Sequence, residues 1–263
     1  MRISDIVSEM ERLAPPCLAE PWDNPGFLLG DDSRSCKKVF FCLEINSETV
    51  KQAQDFGANL IITHHPLIFK PLSRITESDP TGRLVCELIR SNIAVFSMHT
   101  NFDKAQGGMN DLLADKLGLE EVRHYTDEEC VDRFGNPTEN IGRIGVLEPP
   151  MSFEDFSAFV KATLGCVSMR TVGNPNEEIS TVALCSGGGA DLMMNALNAG
   201  ADAYVTSDIK HHDAQTASEI GLNVIDAGHF ETENIICDFL VDYFAHTFPE
   251  IETQKANVRS YFN

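Results

Sequence analysis

Two adjacent histidines, His64 and His65, close the apolar run Leu60-Ile61-Ile62-Thr63, and far along the chain His229 and Glu233 stand four residues apart. Imidazoles and carboxylates are ligands for divalent metal ions. The four-residue spacing lays His229 and Glu233 along one face of a helix, or of a turn entering one. A third segment, His99-Thr100-Asn101-Phe102-Asp103, again sets a histidine and a carboxylate after a short apolar run. A carboxylate has two oxygens and can bridge two cations, whereas a neutral imidazole offers one lone pair to one ion. The set therefore predicts two divalent ions about 3.5–4 Å apart, with water or hydroxide in the open positions. Glu233 is the expected bridge; His64, His65, Asp103 and His229 are the expected terminal ligands. The plain alternatives are a hydrogen-bonded histidine pair at a strand end, and an Asp103 that braces a turn. Two divalent cations less the charges of Asp103 and Glu233 leave about two positive charges, so an anionic or phosphorylated small molecule is the expected ligand. Zinc, iron and manganese all suit mixed imidazole and carboxylate donors.

The elements that must position these groups follow from hydrophobic periodicity. Val39 to Leu43 reads as a buried strand, Ser47 to Phe56 as an amphipathic helix stopped by Gly57, and Leu60 to Thr63 as the next strand, a βαβ unit. Ligands of open α/β sheets lie beyond the carboxyl ends of the strands, where His64 and His65 fall. Because neighbouring strand residues point to opposite faces, the two are expected to serve different ions. Ile93 to Met98 repeats the pattern and delivers His99 and Asp103. Ile141 to Leu147, Thr181 to Cys185, Asp202 to Thr206 and Asn223 to Asp226 read as further strands, with a helix from Ser152 to Leu164 capped by Ser152. Ser186-Gly187-Gly188-Gly189 carries neither a dinucleotide fingerprint nor a Walker lysine, and reads as a packing turn in preference to an anion cradle. Trp22, the single tryptophan, lies in Pro21-Trp22-Asp23-Asn24-Pro25-Gly26 and is expected to anchor a loop.

Alternating strands and helices predict an α/β protein of two lobes, with mainly parallel sheets flanked by helices. A polar, charged stretch from His124 to Asn140 marks the expected division. It places residues 1–125 and 220–263 in the lobe that carries the metal ligands and 126–219 in a second α/β lobe. At 263 residues the chain can bury a full core without staples. Its net charge of −20 repels nucleic acid backbone and anionic lipid. Eight scattered cysteines without a CxxC, several inside apolar runs, match reduced thiols. No signal peptide or membrane-length apolar segment is present, so a cytoplasmic location is expected and membrane and nucleic acid partners are not.

Taken together, several segments resemble one family. They are Trp22-Asp23-Asn24 with Gly26 and Gly30, Thr63-His64-His65-Pro66-Leu67, His99 to Asp103, Gly200 to Thr206 leading to Asp208, and Gly228-His229 with Thr232-Glu233. In that order they are similar to the NGG-interacting-factor-like proteins, whose bacterial members are often named GTP cyclohydrolase I type 2 homologs. The resemblance spans essentially the whole chain. It implies a ring-shaped homohexamer, a trimer of dimers, with dinuclear sites facing an internal cavity. It also implies one metal on His65, Asp103 and Glu233 and the other on His64, His229 and Glu233. The stretch from His124 to Asn140 is too short for the inserted domain of long members. His211 and His212 stand where the family sometimes has tyrosine or threonine, and His212 is a candidate proton shuttle beside the plainer reading of a surface histidine.

Two functions follow as expectations. The first is a metal-dependent hydrolase of the cyclohydrolase or phosphohydrolase type, acting on a nucleotide or another phosphorylated small molecule through a metal-bound water. The second is a non-catalytic metal-binding scaffold, metal-delivery protein or regulatory adaptor. The sparse ligand set leaves open coordination positions and favours the first.

Overall fold

Apolar four- and five-residue runs separated by amphipathic helices build the first of two units seen in the computed structural model, which describes residues 1–125, 130–131, 137–138 and 141–262. This unit comprises Met1–Ala105 with Ile236–Val258. Its strands are β1 (Gly26–Leu29), β2 (Lys38–Cys42), β3 (Leu60–Thr63), β4 (Ala94–Ser97) and β13 (Glu252–Lys255), in the sheet order β1-β4-β3-β2-β13. Only the β1–β4 pairing is antiparallel. Its helices are α1 (Ile3–Leu13), α2 (Ser47–Phe56), α3 (Pro80–Ser91), α4 (Thr100–Lys104) and α10 (Ile235–Thr247), the last counted here from Ile236.

Register explains why chemistry gathers at one edge of this sheet. Cys42 pairs with Thr63 and Thr63 with Ser97, so β2, β3 and β4 end level. The residues that follow, Glu44, His64, His65 and His99, therefore emerge side by side. The strands hold that edge still because Phe40, Ile61 and Val95 pack with Val50 and Ala53 of α2 and Leu88 of α3, all fully buried. The α2 helix between β2 and β3 starts at Asn46, whose side chain accepts from the N–H groups of Glu48 at 3.0 Å and Thr49 at 2.9 Å. It stops at Gly57, whose φ of 79° suits glycine. Asn46→Ala is expected to cost about 1 kcal/mol in urea unfolding, and an unchanged midpoint would contradict that role for the cap.

The second unit is built from Gln106–Val131, Pro137–Ile235 and Arg259–Asn263. Its strands are β5 (Leu119–Arg123), β8 (Arg143–Ser152), β9 (Arg170–Val172), β10 (Glu178–Gly188), β11 (Ala203–Ser207) and β12 (Asn223–Asp226), ordered β5-β8-β10-β11-β12-β9, with a separate pair β6 (Cys130–Val131) and β7 (Pro137–Thr138). The helices are α5 (Met109–Lys116), α6 (Phe153–Leu164), α7 (Met193–Asn198), α8 (His211–Ile220) and α9 (His229–Glu233). As expected, Ser152 caps α6, accepting from the Asp155 N–H at 3.1 Å. One face of the sheet packs Val182, Leu184, Val205 and Ile225 against Phe156 and Val160; the other packs Tyr204 and Val224 with Ala196 and Ala217.

A mixed α/β fold with two helix-flanked sheets is therefore present, but the expectation of mainly parallel sheets holds only for the first. In the second sheet β10–β11 and β11–β12 are parallel, while β5–β8, β8–β10 and β9–β12 are antiparallel. Periodicity signals a buried strand but not its direction, and the long strands β8 and β10 pair antiparallel along most of their length. The divisions also differ from the expected 125/126 and 219/220, falling instead after Ala105 and after Ile235. Hydrogen bonding accounts for both: β5 bonds to β8 and β12 to β11, so each belongs to the second sheet. The polar stretch expected to divide the lobes lies for the most part outside the described residues. Among the described cysteines no disulfide is present; Cys36, Cys42, Cys166, Cys185 and Cys237 are buried. Burial pushes the Cys36 thiol up to about 11 and that of Cys237 up to about 12. Among the described residues no helix is long and apolar enough to cross a membrane.

Candidate metal centre

In the first unit β3 ends at Thr63, so His64 and His65 lie beyond the pleat and its alternation no longer separates them. Their ring centroids are 5.2 Å apart at 43°. The two imidazoles are thus neighbours beyond the strand end, and pleat alternation does not by itself assign them to different ions. His64 is fully buried, and its Nδ1 lies 2.7 Å from the Met98 carbonyl oxygen. A carbonyl only accepts, so Nδ1 carries the proton and Nε2 keeps the lone pair, 3.6 Å from Oδ1 of the buried Asp103 on α4. His65 places Nδ1 3.5 Å from the Glu44 carboxylate. Its backbone is tied down as well, with its N–H donating to the Leu43 carbonyl at 2.9 Å.

His99, which the sequence delivers at the end of the next strand but does not place among the five expected ligands, joins this group. Donor nitrogens of His64, His65 and His99 all lie within 4.8 Å of one another. The His99 Nδ1 is 2.8 Å from Oδ1 of Asp23. Asp23 also accepts from the backbone N–H groups of Asn24 at 2.8 Å and Thr100 at 3.1 Å, and from the Thr100 hydroxyl. Burial alone would raise its pKa, but the donors from His99, Thr100 and Asn24 outweigh it and hold the carboxyl below its usual value. Trp22 does not anchor the loop as expected. It is 61% exposed, and its ring meets Phe69 and His99 edge to face at centroid distances of 5.9 and 6.3 Å.

In the second unit β10, β11 and β12 also end together, with Gly188 paired to Ser207 and Thr206 to Asp226. Gly187 near the end of β10 and the residues Asp208 and His229 that follow β11 and β12 come to one place. As the spacing predicts, His229 and Glu233 share one face of the short α9, with His229 Nε2 2.9 Å from Glu233 Oε2. The other imidazole nitrogen, Nδ1, is 2.7 Å from Asp208 Oδ2. Asp208 adopts a left-handed backbone, φ 56°, uncommon for a residue with a side chain. Glu233 is buried, and its Oε1 occupies the space that a Cβ on Gly187 would need, at 2.1 Å. The glycine segment is a packing device, in line with the sequence expectation. The Gly187 N–H donates to Thr232 Oγ1 at 3.1 Å and the Gly189 N–H to Thr206 Oγ1 at 2.9 Å.

The donor chemistry fits a metal. Four imidazoles stand at strand ends with Nδ1 facing an oxygen, the arrangement in which metal-binding histidines are held with a lone pair outward. The anchoring carboxylates Asp23, Glu44 and Asp208 were not recognised as such from sequence; each lies one or two residues past an apolar run or at a turn, a weak signal alone. His212 belongs to neither constellation among the described residues. It sits exposed on the first turn of α8 with its ring 5.5 Å from that of His211.

The whole chain has known relatives. The family model described as Duf34/NIF3 (NGG1p interacting factor 3) matches residues 1–261. A protein of Clostridium perfringens named GTP cyclohydrolase 1 type 2 homolog is 36% identical over 233 residues, covering 89% of this chain and 87% of that one. A protein of the same name from Lactococcus lactis is 37% identical over 233 residues, covering 88% and 86%. Among solved structures, a Staphylococcus aureus hypothetical protein superposes with a TM-score of 0.90 at 28% identity, over 100% of this chain and 98% of that one. With the family model spanning nearly every residue and relatives above 30% identity along most of its length, the chain belongs to the Duf34/NIF3 family.

Proposed function

We propose that this protein is a metal-dependent hydrolase of nucleotides or other phosphorylated small molecules, using two divalent ions held by His64, His65, Asp103, His229 and Glu233. The observation that carries the reading is the anchoring of imidazoles at strand ends, with Nδ1 on oxygen at 2.7 Å in both His64 and His229. The names of the relatives from C. perfringens and L. lactis supply the substrate class.

Bound ions would supply Lewis acidity and a water of lowered pKa. The chain's own residues do the rest. Met98 fixes the tautomer of His64, and Asp208 orients the His229 ring, so that each aims the nitrogen that would face an ion. Glu233, buried beside Gly187, contributes a carboxylate whose two oxygens can serve two ions. Asp103 adds a second carboxylate beside His64. An acidic protein with a locally positive centre selects an anionic ligand at the site itself. The homohexamer implied by the family resemblance is part of the same proposal, and light scattering would read six copies of a 29.0 kDa chain.

The reading is tested by screening metal-loaded and chelator-stripped protein against GTP, other nucleotides and simple phosphomonoesters. Turnover that appears with metal and vanishes with chelator is expected. Stoichiometric binding of metal with no turnover of any of these compounds would instead leave a metal-holding scaffold or adaptor.

A further inference from the structure

Two large aromatic side chains stand in water beside the histidines of the first unit, and neither the core nor the proposed metal centre uses them. Trp22 is 61% exposed and Phe69 41% exposed, and their rings meet at a centroid distance of 5.9 Å and an angle of 66°. A lone exposed aromatic is ordinary, but two in contact make a continuous apolar patch. An edge-to-face pair leaves ring faces open, so a third flat ring can stack on one and meet the other edge-on. The patch runs into the histidines. The His99 ring lies 6.3 Å from Trp22 and 6.2 Å from Phe69, and 5.1 Å from His64 and 5.7 Å from His65.

The loops that carry the two rings are tied to each other and to the fold. Asn24 Nδ2 donates to the Ile68 carbonyl at 2.6 Å, joining the stretch just after Trp22 to the residue before Phe69. The Asp23 N–H donates to the Glu20 carbonyl at 3.0 Å. Glu20 is fixed in turn, its N–H on Thr100 Oγ1 at 3.0 Å and its carboxylate 2.8 Å from the Lys104 ammonium. Rings held in place before a ligand arrives lower the ordering cost of binding it. Size separates the candidate occupants. A fully covered aromatic side chain buries about 150–250 Å², so the exposed parts of these two offer on the order of 250 Å². A stable protein interface needs roughly 800 Å² per partner, whereas one flat heteroaromatic ring is satisfied by far less.

We propose that Trp22 and Phe69 form a stacking platform for the base of a nucleotide, which they hold by its flat face and not by its hydrogen-bonding edge. The inference rests on the nucleotide reading above and adds the end of the ligand to which that reading assigns no residue. Stacking on aromatic side chains tolerates any base, because every base has a π-face. The platform therefore selects nucleotides over phosphorylated sugars without selecting guanine over adenine.

The test separates the two ends of the ligand. Guanosine, which has a base and no phosphate, is titrated into the metal-stripped full chain, with adenosine, uridine and ribose beside it. Because Trp22 is the single tryptophan, its emission reads the platform directly. The three nucleosides are expected to quench it saturably, with affinities within about tenfold of one another, and ribose to leave it unchanged. By equilibrium dialysis, Trp22→Ala and Phe69→Ala are each expected to weaken guanosine about fivefold or more, and Trp22→Phe, which keeps a ring, by less than about threefold. Inorganic phosphate, which has no base, is titrated into the metal-loaded protein by calorimetry, and all three variants are expected to bind it as wild type does. Nucleosides without effect on the emission, or Trp22→Ala binding guanosine as tightly as wild type, would overturn the proposal. So would an emission that shifts with protein concentration and not with guanosine, the mark of a second copy seated on the patch. Nucleoside quenching without phosphate binding would spare the platform and count against the metal-centre reading. Phosphate binding with no response to nucleosides would do the reverse.

Discussion

Glu233→Ala is expected to lower divalent-metal affinity on the order of a hundredfold or more while leaving the metal-free protein at least as stable as wild type. Both halves follow from where Glu233 lies. As the proposed bridge it is the one residue whose two oxygens serve both ions, and losing a direct ligand should exceed the roughly 10–100-fold cost of losing a residue that only orients one. Its side chain is only 6% exposed, 2.9 Å from His229 Nε2. A buried carboxylate kept for binding is a burden to the empty fold, so truncating it relieves desolvation. Metal-induced stabilisation should disappear with it. Wild type at metal a hundredfold above its dissociation constant gains about 2.7 kcal/mol, and the variant should gain little under the same conditions. Thermal unfolding with and without Zn2+ measures both effects. A metal-free variant markedly less stable than wild type, with unchanged metal response, would make Glu233 a structural residue.

Gly187→Ala should reproduce the metal defect from a residue that carries no ligand atom. At φ 60° an alanine is strained, and its Cβ would lie 2.1 Å from Glu233 Oε1. The backbone penalty is about 1–3 kcal/mol. The clash is with the far end of a flexible side chain, so the fold can absorb it by swinging Glu233 aside. The metal centre cannot, because the carboxylate is displaced from beside His229. Affinity should therefore fall by more than stability does. Gly188→Ala is the control: its Cβ would meet Asp208 no nearer than 3.6 Å, and its φ is not in the left-handed region. It should change stability by no more than about 1 kcal/mol and leave metal binding intact. Equal metal binding by the two variants would contradict the placement of Glu233.

The proposed ligands were more legible than the groups that aim them. His64 and His65 stand out because an apolar run stops at them, and His229 and Glu233 because their spacing matches a helical turn. Nothing local links Asp208 to His229, 21 residues away. Their meeting follows from the pairing of Thr206 with Asp226, a fact of sheet register. Asp23 and His99, 76 residues apart, meet because Gly26 pairs with Ser97 when β1 runs antiparallel to β4. Polar edge strands were missed for a related reason. Glu252–Lys255 and Leu119–Arg123 are largely exposed and carry little apolar alternation, so only the partner strand defines them.

The measurement that bears most directly on the central claim is metal content per chain, by elemental mass spectrometry, of protein purified without an affinity tag or added metal. The account predicts about two divalent ions per chain, as a dinuclear site requires. A chain that carries no metal, and takes none up after reconstitution with zinc, iron and manganese, would contradict it.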